Sequence, residues 1–156
     1  MPTSTIVRVQ RAFDCTAEAI YDAWLDPRLA RQFWFATPPR GQVIRCDIEP
    51  GVNGRFTIVD RRPLEADPSR HIDVEHSGRF LQLDRPRRIA FTFGLPRFQS
   101  HETAVILDIE PQGDGCLLTL RHDMGPADEE TREMLEHAEE GWSTVLANLE
   151  RALKGG

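Results

Sequence analysis

LEHAEEGWSTVLANLERA, residues 135–152, is the stretch whose period settles the architecture. Its apolar residues Leu135, Ala138, Trp142, Val145, Leu149 and Ala152 recur at steps of three and four, which draws one stripe along an α-helix. The pattern predicts a helix from about Ala127 to Lys154, about 40 Å long at 1.5 Å per residue. Its first half holds seven acids (Asp128, Glu129, Glu130, Glu133, Glu136, Glu139, Glu140) against one base, Arg132, and its end holds Arg151 and Lys154. Both biases complement the helix dipole, and the acid run reads as a solvated face. A helix with one long apolar stripe must bury it against another layer.

The rest of the chain offers a sheet for that purpose. Ile6–Phe13 alternates with period two, placing Val7, Val9, Arg11 and Phe13 on one face of a strand. Thr16 can cap a short helix in which Ile20 and Trp24 share a face. Asp26-Pro27 repeats the start signal for a second helix reaching about Phe33. Thr37–Gly41 breaks regular structure. Strands are expected near Val43–Ile48, Arg55–Val59, His71–Leu83, Arg88–Phe93, Glu102–Glu110 and Cys116–His122. Between them, residues 61–70 are polar with two prolines and read as a loop. Asp84-Arg85-Pro86 and Leu95-Pro96 read as turns, and Gln112-Gly113-Asp114-Gly115 as a tight hairpin. The order is one strand, two short helices, six strands and one long helix. This predicts an α+β fold in a single domain over residues 1–156, a curved antiparallel sheet of six to seven strands gripping the C-terminal helix. A curved sheet cannot touch a straight helix everywhere, so a cavity is expected between them.

Composition bounds the function. The 156 residues carry a formal net charge of −6, with 40% hydrophobic and 28% charged residues, as in an ordinary globular protein. A net acidic chain argues against a global grip on nucleic acid or anionic lipid, and Arg79, Arg85, Arg87, Arg88 and Arg97 read as a solvated strand face. The longest clean apolar run, Ala104–Leu107, is far short of a membrane span, and Met1–Thr5 shows no secretory signal. Cys15, Cys46 and Cys116 are odd in number and widely spaced, as expected of reduced thiols in a cytoplasmic protein. His71, His76, His101 and His122 lack close ligand spacing, so no metal and no cofactor are expected. No nucleophile elbow, dinucleotide fingerprint or P-loop is present.

A series of segments carries a resemblance. Arg11-Ala12-Phe13 runs into Ala19–Pro27. The aromatic run Phe33-Trp34-Phe35 follows, then Gly54-Arg55-Phe56, Gly78-Arg79-Phe80, Gly115–His122, and Gly141-Trp142 with Leu146 and Leu149. In this order the chain resembles the helix-grip proteins of the SRPBCC or START-like superfamily. Within them it is most similar to the AHSA-type family, named after the C-terminal domain of the heat-shock-protein ATPase activator. The resemblance implies the helix-grip fold. It leaves function open among hydrophobic-ligand binders, cyclases or other lyases, and co-chaperones. The loop over Arg61–Arg70 looks longer and more charged than is usual in that group.

Strand parity names the side chains that can line the expected cavity. They are Phe56 and Ile58, His76 and Phe80, Phe91 and Phe93, Leu107, and His122, with Trp142 from the helix (beside Met134 and Leu135) and Trp34 at the entrance the resemblance implies. Three polar residues lie on apolar faces: Arg11, His76 and His122. Burying them requires partners, supplied by a ligand's polar end, by water or by ion pairs, and for Arg11 a carboxylate is the leading candidate. The first expectation is a binder of a small apolar organic molecule. The second is a lyase-type enzyme with His76 or His122 as general base and Arg11 at a developing oxyanion. The third is a co-chaperone-like interaction module, with a homodimer or a chaperone as partner.

Overall fold

The computed structural model describes residues 4–34, 42–64, 66–94, 103–126 and 129–155. Strand β1 (Ser4–Phe13) leads into helices α1 (Ala17–Leu25) and α2 (Pro27–Phe33). Six strands follow: β2 (Gln42–Ile48), β3 (Arg55–Pro63), β4 (His71–Asp84), β5 (Arg88–Phe93), β6 (Thr103–Gln112) and β7 (Gly115–Pro126). Helix α3 (Glu129–Gly155) ends the chain. The strands form one seven-stranded antiparallel sheet in the order β1-β7-β6-β5-β4-β3-β2. The α+β helix-grip reading therefore holds.

Local chemistry accounts for the breaks. Thr16 caps α1 by accepting from the Ala19 N–H at 3.2 Å. Asp26 serves twice: its N–H closes α1 onto the Ala23 carbonyl, and its carboxylate accepts from the Arg28 N–H at 2.9 Å to open α2. Gly113 adopts φ 57° in the β6–β7 turn, a left-handed conformation that favours glycine.

Strand ends depart from the sequence reading. Residues 61–63, read as loop, extend β3, because Arg61 faces Asp73 across the β3–β4 ladder and pairs with it at 2.8 Å. Strands β6 and β7 each run past their expected ends, to Gln112 and Pro126. Leu95-Pro96, Glu102, Ala127, Phe35 and all of Thr37–Gly41 lie outside the described residues, as do the side chains of Met134, Leu135 and the acids of α3 before Glu139.

Alternation sends one sheet face onto α3. Val105, Leu107 and Ile109 of β6 and Leu118 and Leu120 of β7 are buried in one core with Trp142, Val145, Leu146 and Leu149 of the helix. Burying each such leucine contributes about 1.5–3 kcal/mol relative to exposure.

Candidate functional site

The antiparallel order brings the ends of β3, β5 and β7 and the starts of β4 and β6 to one end of the sheet. From the middle of β5 toward that end, and across the start of β3 and the later part of β4, the aliphatic core gives way to rings. Trp34, at the end of α2, lies against Trp24, Phe56, Phe91 and Trp142 with ring centroids 5.2–5.9 Å apart, and against Phe93 at 6.3 Å. Phe56 in turn meets Phe80 at 5.6 Å and Phe91 edge-on at 5.4 Å. Tilted and edge-to-face pairs of this kind add about 0.5–1.5 kcal/mol each beyond area burial. Gly78 makes room for Phe56, opposite it in the ladder: a Cβ there would sit 2.8 Å from two ring carbons of Phe56.

Two histidines enter this cluster from the sheet. The Trp142 indole Nε1 donates to His122 Nδ1 at 3.0 Å. Indole can only donate, so Nδ1 is the acceptor and His122 carries its proton on Nε2. That proton goes to Thr103 Oγ1 at 2.6 Å, and the Thr103 hydroxyl donates to the Phe93 carbonyl at 2.8 Å. The chain of donors is complete and leaves His122 neutral. Burial pushes its pKa down to about 4. His76 is buried and lies stacked on Phe93 at 5.8 Å, with Nδ1 3.4 Å from the Ile58 carbonyl. Burial, with the Arg62 charge nearby, lowers its pKa to about 3.

Asp60 and Thr103 belong to the site and are absent from the sequence reading. Asp60 is fully buried, one inward position beyond Ile58 on β3, and its Oδ2 pairs with Arg62 Nε. Burial raises its pKa from the ordinary aspartate value, while Arg62 and the Gln42 N–H pull the other way. Period two carried one step past Val59 would have found Asp60 on the face of Phe56 and Ile58. Thr103 had no such signal, because its partner His122 lies 19 residues away.

The remaining candidates divide. Ile58, His76, Phe80, Phe91, Phe93, His122, Trp142, Trp34 and Phe56 are gathered at or beside the ring cluster. Leu107 is buried midway along β6, paired with Ile89 and Leu120 in the aliphatic layer. Arg11 is four residues along β1 from the His122 level and bonds the Glu150 carboxylate of α3, which Lys154 also holds at 2.9 Å. The outer sheet face is charged instead: Arg88 and Arg121 share Asp108. Arg85, in the β4–β5 turn, holds Asp22 of α1 at 2.9 Å. A groove of about 410 Å³ lined by Arg55, Phe56, Thr57, Glu75, Ser77, Gly78 and Arg79 is mostly polar where the inner cluster is aromatic. Arg97 and His101 lie outside the described residues. Among those described, no group of three or more His, Cys, Asp or Glu side chains is placed to hold a metal ion. No helix among them is long and apolar enough to cross a membrane.

Comparison with known proteins agrees with this geometry. The family described as Activator of Hsp90 ATPase homolog 1-like protein matches residues 14–154. Solved structures similar to the chain include a Rhodobacter sphaeroides protein at 21% identity and TM-score 0.78, covering 97% of this chain and 94% of that one. A Nitrosomonas europaea protein follows at 18% identity and TM-score 0.77, covering 96% and 94%. An AHSA1-like protein of Aeromonas hydrophila superposes at 18% identity and TM-score 0.72, covering 97% and 93%. At these identities the likeness is one of fold. No curated protein matches the chain in sequence.

Proposed function

The chain belongs to the Activator of Hsp90 ATPase homolog 1-like family, and from that premise we propose that it binds a small, largely apolar organic molecule between sheet and C-terminal helix. One observation carries the reading: aromatic rings from α2, β3, β4, β5 and α3 converge at that interface, with buried polar side chains set among them. Small-molecule sites are mostly apolar with a few placed polar groups. Aromatic faces give a planar ligand large contact area at low entropic cost.

Binding fits the histidines better than acid–base catalysis does. Both ring nitrogens of His122 are engaged, and its proton affinity is too low for a base working near neutral pH. A neutral, oriented imidazole instead fixes Trp142 and Thr103 as walls.

The test is native mass spectrometry of the purified protein, followed by thermal shift with a panel of phenols, polycyclic aromatics and lipids. A ligand at a hundred times its Kd adds about 2.7 kcal/mol, which for a chain of this size raises Tm by roughly 5–10 °C. A saturable shift of that order, weakened by Trp34→Ala, supports the reading. No retained molecule and no saturable shift across the panel overturns it.

A further inference from the structure

Resting on that reading, we infer that Asp60 is the recognition acceptor for a neutral hydroxyl group, so that the ligand class is an aromatic alcohol or phenol. The argument starts from an unmet group. Asp60 is 0% exposed, and its Oδ1 is buried with no partner in hydrogen-bonding geometry, although Oδ2 is paired with Arg62 and the Gln42 N–H lies near the carboxylate. Leaving a buried acceptor unmet costs about 1–3 kcal/mol, more for a charged one, so a fold that retains one has a use for it.

Placement ties this oxygen to the ring cluster. Asp60 lies on the inward face with Phe56 and Ile58, opposite Val74, while Ile58 stands opposite His76. Phe56, the ring on β3, is four residues or roughly 13 Å from Asp60 along the strand, while the His76 ring, opposite Ile58, is one step or roughly 7 Å away, the span of one or two fused rings. A planar body seated against the rings would therefore bring its far substituent to Oδ1.

Charge selects that substituent. Asp60 and Arg62 already balance each other, and the Arg62 charge is felt as far as His76. An ammonium would meet Arg62, and a carboxylate would meet the lone pairs of Oδ1. An ether has no proton to give. A hydroxyl donates to Oδ1 and adds no charge, and the penalty of the unmet acceptor disappears on binding.

The experiment compares 2-naphthol with 2-methoxynaphthalene by titration calorimetry on the full chain. Wild type should bind the naphthol about tenfold more tightly. In Asp60→Asn the amide oxygen turns to Arg62, which can only donate, and the NH₂ takes the place of Oδ1. The preference should then fall to unity or invert toward the ether. On wild type alone, the Asp60 carboxyl ¹³C resonance should move with naphthol and stay with methoxynaphthalene, which keeps the inference open to test should the variant fail to fold. Equal affinities in wild type, or a preference unchanged in Asp60→Asn, overturn the role of Asp60 and leave the binding site standing. Binding of neither compound overturns both.

Discussion

Trp142 and His122 form a donor–acceptor pair in which each fixes the other. Trp142→Phe keeps the ring but removes the indole N–H, leaving His122 Nδ1 buried and unmet. The expected cost is about 1–3 kcal/mol in urea unfolding, and an NMR titration should find the His122 pKa above its wild-type value of about 4. A variant as stable as wild type would show the bond to be idle. The two histidines also set a pH response. Their folded pKa values, about 4 and about 3, lie below the ordinary 6.5, so the unfolded chain takes up protons first as pH falls. Stability is full above pH 6.5 and is lost toward pH 4, at a ceiling of roughly 1.4 kcal/mol per pH unit for each histidine. Asp60, whose pKa is raised, works in the opposite sense and trims the loss. Unfolding free energies at pH 7 and pH 5 should therefore differ by more than about 1 kcal/mol in wild type and by less in His122→Gln; equal values in wild type would refute the account. Both histidines were legible as polar interruptions of an apolar face. Their partners were not, because Thr103 is brought to His122 by the β6–β7 ladder and neither position marks the other.

At the scale of elements, packing is least forgiving where β4 passes both a neighbouring strand and a ring. A Cβ on Gly78 would stand 1.8 Å from the Thr92 carbonyl oxygen, and backbone cannot step aside cheaply. Gly78→Ala is expected to destabilise by roughly 1–3 kcal/mol, while Gly51→Ala, where nothing lies within 4 Å, should be close to neutral. Thermal unfolding of the pair checks this, and equal effects would contradict it. Cap signals such as Thr16 and Asp26 were readable because a cap is satisfied within three residues. The end of β3 was not, because what prolongs it is Asp73 across the ladder from Arg61, twelve residues on. That one misjudged end also hid Asp60.

For the whole molecule, the helix stripe and the alternating strands were enough to give layers and order, since each period states which face must be covered. The site was legible only as a set of inward faces; which rings meet depends on tertiary packing. The same layering grades local stability. Central β6 has neighbours on both sides, whereas β2 has β3 on one side and, among the described residues, no strand on the other. Amide exchange should be slowest at Val105, Leu107 and Ile109 and fastest among the strands at Ile44–Asp47; equal protection would refute the grading. The open side of β2 has a further consequence. Unpaired strand edges invite the same edge of another molecule, the first step toward insoluble cross-β aggregates. Here the edge is broken by a register shift between Val43 and Arg45 and carries the Arg45–Asp47 ion pair, beside the partly exposed Ile44. The register shift and those two charged side chains thus both disfavour such pairing along β2.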